Sequence, residues 1–281
     1  GVVAGFSPWN FPAMLTARKI ANAIAAGCCI IIKPAEETPA TAIALASALH
    51  DAGLPAGVLN MVFGDPAMIS KHLINNNSIK KVSLTGSTAV GKLLAGLSAD
   101  NLTPCILELG GHAPVLIFDD VDVDAVAQNL AIFKYRNAGQ VCVSPSRFFI
   151  HENIAEEFTE SFVKHTANLK VGDGLEKDTN IGPLAHERRI EAVDELVKDA
   201  LNKGARCLLG GKRMDRTGYF FEPTILNNVP SSAELMTTEI FGPVAVLSTF
   251  NDIDDVIERA NDVPYGLASY LFTKNSKTIE Y

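Results

Sequence analysis

The chain has 281 residues, 47% hydrophobic and 20% charged, enough for about two domains at roughly 150 residues each. That composition excludes a disordered, collagenous or fibrous chain. A net charge of −8 without a Lys/Arg-rich run argues against nucleic-acid and anionic-membrane surfaces, and no stretch approaches the roughly 20 apolar residues of a membrane span.

Helical and strand patterns alternate from the start. The apolar run Gly1 to Phe6 predicts a strand, Phe11 to Ala26 a helix and Cys28 to Lys33 a buried strand. Pro39 to Gly53 follows as a helix, with Thr38 as its cap, Pro39 in its first turn and Gly53 at its close. Val58 to Phe63 reads as a strand, Asp65 to Asn75 as a helix and Lys81 to Thr85 as a strand. Residues Gly86 to Gly91 then turn into a helix from Lys92 to Ala99, and Cys105 to Leu109 is a short strand ending in Gly110-Gly111. A second series begins with a strand at Val115 to Phe118 and a helix at Val123 to Tyr135. A strand at Arg147 to Ile150 and helices at Ile154 to Ala167 and His186 to Lys203 follow. Strands at Ala205 to Leu209 and Val244 to Phe250 flank a loop region from Phe221 to Gly242, and a helix at Ile253 to Asn261 comes last. Short apolar strands separated by helices predict βαβ units in mainly parallel sheets. A boundary is expected at Gly110-Gly111, giving domains at 1–110 and 111–281. Gly1 opens directly in a strand and Tyr281 stops as Ser276 to Tyr281 begins to look helical, so a fragment of a longer protein is expected.

Six segments offer chemistry, each with a plainer reading beside it. In Ser7-Pro8-Trp9-Asn10-Phe11-Pro12, Asn10 is either a cap in a rigid turn or an amide aimed at a developing oxyanion. Lys33-Pro34-Ala35-Glu36 ends a buried strand, where an acid holds ribose hydroxyls in doubly wound sheets; the alternative is a solvated charge pair. The turn Thr85-Gly86-Ser87-Thr88-Ala89-Val90-Gly91 is either a phosphate cradle at a helix N-terminus or a simple turn. Glu108, between Leu107 and Leu109, is a general-base candidate if its surroundings are apolar and an exposed edge-strand acid otherwise. His112 beside it reads as a loop histidine. The five cysteines are an odd number without CxxC or Cys/His spacing, which points to reduced intracellular thiols rather than a disulfide frame or a zinc site. Cys28, Cys29, Cys105 and Cys207 lie in apolar runs and read as packing residues. Cys142, in the small and polar loop Asn137-Ala138-Gly139-Gln140-Val141-Cys142, is the nucleophile candidate. Glu239-Ile240-Phe241-Gly242-Pro243 alone reads as a loop packing into the core.

Taken in this order, these segments resemble the NAD(P)-dependent aldehyde dehydrogenase superfamily over essentially the whole chain. The likeness rests on Pro-Trp-Asn-Phe-Pro, Lys-Pro-Ala-Glu, Thr-Gly-Ser, Glu-Leu-Gly-Gly, Gly-Gln-x-Cys and Glu-Ile-Phe-Gly-Pro, and on the spacings of Glu108, Cys142 and Glu239. It implies an α/β fold: a Rossmann-type parallel-sheet NAD-binding domain and a second α/β catalytic domain, both incomplete. It also implies roles. Cys142 would attack the aldehyde carbonyl, Asn10 and the Cys142 N–H would hold the oxyanion, and Glu108 would activate the water that hydrolyses the thioester. Lys33 and Glu36 would bind the adenine ribose, Ser87 the pyrophosphate and Glu239 the nicotinamide ribose. Phe241, Thr85, Gly86, Leu109, Phe6, Ser7 and Trp9 would complete the cofactor site.

Glu108 favours a free acid product over an acyl-CoA, and Glu36 favours NAD over NADP because it would repel a 2′-phosphate. Arg18 and Arg136 match arginines with which succinate-semialdehyde dehydrogenases grip the substrate's distal carboxylate, a task that suits a forked guanidinium. Succinate semialdehyde is therefore the first expectation. Glutarate or 2-oxoglutarate semialdehyde, a broad-specificity aldehyde dehydrogenase and a non-catalytic nucleotide-binding relative are the alternatives. The resemblance further implies a cytoplasmic homo-oligomer, dimer or tetramer, without a metal, nucleic-acid or membrane partner. Val143 and Ser144 follow Cys142 in place of the second cysteine some relatives carry, so no disulfide switch is expected there.

Overall fold

Five apolar runs among the first 110 residues pair into a wholly parallel sheet: β1 (Val2–Phe6), β2 (Cys29–Lys33), β3 (Leu59–Met61), β4 (Ile79–Thr85) and β5 (Cys105–Glu108). Their order is β3-β2-β1-β4-β5. Four helices connect them, α1 (Pro12–Ala25), α2 (Pro39–Asp51), α3 (Pro66–Ile74) and α4 (Thr88–Ala99). The period-2 alternation of β1 divides the core. Ala4 and Phe6 pack with Val82, Leu84, Ile74 and Leu94 on the side of α3 and α4, whereas Ile30 and Ile32 pack with Ala23 of α1. The computed structural model describes residues 1–281 and divides them into two compact units, Gly1–Gly110 and Gly111–Tyr281.

The second unit holds a six-stranded sheet ordered β11-β6-β7-β10-β9-β8. Its strands are β6 (Ala113–Ile117), β7 (Pro145–His151), β8 (Arg206–Leu209), β9 (Thr224–Asn227), β10 (Val244–Phe250) and β11 (Tyr270–Phe272). All neighbours are parallel except β8 and β9. The helices are α5 (Val123–Tyr135), α6 (Ala155–Ala167), α7 (Glu187–Asn202), α8 (Ile253–Asn261) and α9 (Ser276–Glu280). Phe148, Ile150 and Val244 to Leu247 bury against Ala127 and Leu130 of α5, Phe158 and Phe162 of α6, and Val193 and Val197 of α7. The opposite face of the same strands offers Phe149 and Phe250 to Val256 and Ala260 of α8. A sheet covered on both faces needs strands apolar at nearly every position, and β7 is buried along almost its whole length. No helix is long and apolar enough to cross a membrane.

Several sequence expectations need correction. The region Phe221 to Gly242 is not all loop, since β9 lies within it, and α8 is followed by β11 and α9. Helix α4 begins at Thr88 rather than Lys92, because Ser87 caps it by accepting from the Val90 N–H at 3.3 Å. Thr38 stands at the N-cap of α2 without a side-chain cap bond, and its hydroxyl is buried without a hydrogen-bond partner. Gly53 does close α2, at φ +85°. His112 does lie in the loop before β6, and it is buried there. Glu108 is exposed on the edge strand β5, so the apolar surroundings proposed for it are absent.

Candidate active site

The candidate residues of the first unit gather where its strands end. β1 runs into Phe6 and Ser7, β2 into Lys33 and Glu36, β4 into Thr85 to Ser87, and β5 into Glu108 and Leu109. Parallel register brings these ends level: Phe6 pairs with Lys33 and Leu84, and Thr85 pairs with Glu108. Backbone bonds continue past the strands, from Ser7 N–H to the Lys33 carbonyl at 3.2 Å and from Gly86 N–H to the Glu108 carbonyl at 3.0 Å. The connection after β1 leads to β2 and the one after β4 leads the other way, to β5, so the β1–β4 edge is a topological switch point, where open α/β sheets bind ligands.

Local contacts fix the side chains along this edge. The Ser7 hydroxyl shares a 2.8 Å bond with Thr16 of α1. Lys33 is buried, donates to the Pro34 carbonyl at 3.2 Å and pairs with the exposed Glu36 carboxylate. Trp9 and Asn10 occupy the bend before α1, both half-buried. Asn10 is therefore outside the helix that carries the exposed Arg18. Lys19, one residue further on, is the inward-facing cation. It donates to the Ser83 hydroxyl at 3.1 Å, and burial pushes it down to about 8 against the attraction of Glu108. The last glycine of the Thr85 to Gly91 motif has a packing reason: a Cβ at Gly91 would lie 2.5 Å from Leu109.

In the second unit the candidates gather where strands begin. Gly111, Cys142 and Phe241-Gly242 stand just before β6, β7 and β10, three parallel neighbours that enter the sheet together. Contact there is tight. A Cβ on Gly111 would fall 2.5 Å from the Cys142 carbonyl, and one on Gly139 would fall 2.1 Å from the Gly242 carbonyl. Only glycine allows these approaches.

The loop before Cys142 turns through three left-handed residues, Asn137, Ala138 and Gly139, at φ 51°, 54° and 70°. Such a run costs backbone energy for Asn and Ala and needs a surrounding frame. Gln140 supplies part of it, donating to the Asn137 carbonyl at 3.0 Å and accepting from the Ala185 N–H at 2.9 Å. Cys142 itself is half-buried, the same class as the other four cysteines, so burial does not distinguish it. Arg136 opens the loop and is exposed. The Glu239 carboxylate accepts from Gly111 N–H at 3.1 Å; burial raises its pKa, opposed by that bond and by Arg189. Phe241 follows at φ 44°, a left-handed conformation rare for an aromatic residue.

Arg147 and Lys134, two buried cations, are not among the sequence candidates, and the loop residue His112 is buried beside their charges. Arg147 of β7 donates to the His112 carbonyl and to the Arg259 and Ala260 carbonyls at the end of α8, at 2.8–3.2 Å. It thereby satisfies carbonyls that the helix terminus leaves open. His112 is pushed down to about 3 by burial and by the neighbouring charges of Arg147 and Lys134. Lys134 is pushed down to about 7 by burial alone. A helical signal existed for Lys134, which falls in register with the inward Val123, Ala127, Leu130 and Ala131.

Two α/β units, one collecting polar side chains at its strand ends and the other a thiol loop at its strand starts, define a two-part α/β protein. The aldehyde dehydrogenase family model matches residues 1–281, and the chain belongs to that family. It is 43% identical to the mitochondrial succinate-semialdehyde dehydrogenase of Oryza sativa subsp. japonica over 288 aligned residues, covering 100% of this chain and 55% of that protein. It is 42% identical to the 3-sulfolactaldehyde dehydrogenase of Pseudomonas putida, covering 98% of this chain and 57% of the relative. The crystal structure of succinate-semialdehyde dehydrogenase from Burkholderia pseudomallei superposes with a TM-score of 0.98 at 44% identity, over 100% of this chain and 58% of that one. The chain thus spans little more than half the length of the relatives it matches.

Proposed function

We propose that the protein containing this chain oxidises an anion-bearing aldehyde, succinate semialdehyde first, to its carboxylic acid with a nicotinamide dinucleotide as acceptor. The observation that carries the reading is the loop Asn137 to Cys142, a strained backbone framed by Gly111, Gly242 and Gln140 so that one thiol stands at the entry of β7. As its thiolate, Cys142 adds its sulfur to the aldehyde carbon, and the C=O π bond breaks to leave an oxyanion. The Asn10 amide and the Cys142 peptide N–H donate to that oxyanion. A dinucleotide held at the strand ends of the first unit would supply the hydride acceptor for this carbon, which would leave a thioester on Cys142. Glu108 then takes a proton from water, whose oxygen attacks the thioester carbon; the C–S bond breaks, releasing the acid and restoring the Cys142 thiolate.

The first unit suits the dinucleotide. Its switch-point edge, the α4 N-terminus behind Thr85-Gly86, and the Lys33–Glu36 pair offer groups for phosphate and ribose. Phe6, Ser7, Trp9 and Leu109 border these groups in sequence, and Glu239 and Phe241 serve the nicotinamide end. Glu36 favours NAD, since a carboxylate accepts ribose hydroxyls and repels a 2′-phosphate. The Lys33 ammonium paired with it offsets part of that repulsion, and an Escherichia coli relative at 43% identity is named for NADP(+). Five cysteines, none in a disulfide, support a reducing, cytoplasmic setting, although the rice relative is named mitochondrial.

Arg18 and Arg136 are assigned to the substrate's distal anion, both being exposed guanidiniums. A sulfonate is the second reading, favoured by the 3-sulfolactaldehyde relative and by a 4-(hydroxymethyl)benzenesulfonate dehydrogenase of Comamonas testosteroni at 46% identity. A glutarate-semialdehyde dehydrogenase at 43% identity keeps the five-carbon acid in the same class. The test is a substrate panel on the full-length natural protein: C4 and C5 semialdehydes, a sulfonated aldehyde and an unbranched alkanal, each with NAD and NADP. Succinate semialdehyde with NAD is expected to give the highest kcat/KM, and Arg18→Met or Arg136→Met to raise KM for acids alone. A preference for the alkanal would refute the arginine assignment.

A further inference from the structure

The residues that come after Cys142 are held as firmly as those before it. Ser144 N–H donates to the Val141 carbonyl at 2.9 Å, closing a four-residue turn with Cys142 and Val143 at its centre. Two side chains from outside the turn grip its second half. The Tyr270 hydroxyl of β11 donates to the Val143 carbonyl at 2.6 Å. The Lys134 ammonium donates to the Ser144 hydroxyl at 3.2 Å.

Both grips lead back to the same place. The Tyr270 ring stands edge-on to Phe133, 5.4 Å between centroids and 90° between planes, and Phe133 precedes Lys134 at the end of α5. A closed circuit therefore runs from α5 through Tyr270 to Val143, along the turn to Ser144, and back through Lys134. Lys134 and Ser144 are both buried, at 1% and 5% exposure, so water does not compete for their bond. Burial pushes the ammonium down to about 7, with no carboxylate opposing it. An apolar side chain of similar size would fill that space at lower cost, so the lysine serves its hydrogen bond and not its packing.

We propose that Tyr270 and Lys134 are positioning residues for Cys142, fixing the peptide planes of the 141–144 turn so that the thiol and the Cys142 N–H keep one orientation towards the aldehyde carbonyl. The inference rests on the reading of Cys142 as the nucleophile. It predicts a particular kinetic signature, because the two residues are assigned to act through the turn that they grip. In the full-length natural protein, Tyr270→Phe and Ser144→Ala should each lower kcat about tenfold, less than the 10²–10³ expected on deleting an oxyanion donor outright. KM for the aldehyde and Kd for the dinucleotide should stay within about twofold. Lys134→Met and Ser144→Ala should be less than additive in the double variant, since both remove the Lys134–Ser144 bond, while Ser144→Ala also removes the hydroxyl's 3.4 Å bonds to the Lys134 and Pro145 carbonyls. If Lys134→Met does not fold, Tyr270→Phe and Ser144→Ala carry the test, as they keep the ring and the ammonium. Folded variants with unchanged kcat, or with the loss in KM, would overturn the proposal while an inactive Cys142→Ala left the nucleophile reading intact. A Cys142→Ala protein that still turned over would overturn both.

Discussion

The two units use opposite ends of their sheets. In the first, Phe6, Lys33, Thr85 and Glu108 are the last residues of parallel strands, and each gives way to a short polar segment. In the second, Gly111, Cys142 and Gly242 precede parallel strands, and close-packed backbone surrounds them. Strand ends at a switch point leave an open crevice that suits a bound cofactor. Strand starts locked by glycines and buried cations give a rigid frame that suits a nucleophile, whose orientation must not drift. Substitutions should accordingly hurt by geometry in the second unit and by local packing in the first.

The largest contrast should come from glycines. Gly139→Ala forces a Cβ towards the Gly242 carbonyl, 2.1 Å away, at a residue with φ 70°. We expect a loss of about 10²-fold in kcat, the scale of a misplacement near 1 Å; activity within threefold of the parent would break the claim of a locked frame. Next in size, Arg147→Met leaves two buried carbonyls and one part-buried carbonyl without this donor. It should cost about 3 kcal/mol or more in urea unfolding, far above the usual surface substitution.

Buried lysines give a smaller difference with a definite sign. Lys134 and Lys19 titrate near 7 and 8 in the folded chain, below the 10.5 of an exposed lysine. Between those values and 10.5 the unfolded chain binds more protons, so stability rises with pH across that window. Below about pH 7 both are protonated and the full burial penalty remains. Urea midpoints at pH 7 and pH 9 should increase, and Lys134→Met should flatten the rise more than Lys19→Met, because Lys19 keeps the favourable charge of Glu108. A midpoint that falls with pH would contradict the assignment. The smallest effect is a gain: Gly96 inside α4 has open space around a Cβ, so Gly96→Ala should stabilise by about 0.5–1 kcal/mol in the same assay.

Much of this was legible in the residues. The strand–helix alternation carried the α/β class, and Asp65, Asp122 and Asp252 cap α3, α5 and α8 as short acidic residues before apolar periodicity should. The motifs at Thr85, Glu108 and Glu239 are legible because each adjoins a strand pattern, and Cys142 because its loop is small and polar while the other cysteines lie in apolar runs. The features that stayed hidden did so for physical causes. β11 is three residues long and β9 four, too short for alternation to show. The start of α4 was obscured by Gly91, which weakens a helix yet is required by Leu109. Exposure of Glu108 depends on β5 being an edge strand, which no local pattern reveals. Arg147 and His112 answer to carbonyls and charges more than twenty residues away in sequence, and only the folded chain brings these together.

The thiol that carries the acyl group decides the mechanism. In the full-length natural protein with Glu108→Gln, incubation with succinate semialdehyde and NAD followed by acid quench, proteolysis and mass spectrometry should find a succinyl adduct on the peptide carrying Cys142. Omitting NAD should abolish it. An adduct on Cys28, Cys29, Cys105 or Cys207, or none on any thiol while NADH still accumulates, would contradict the central claim.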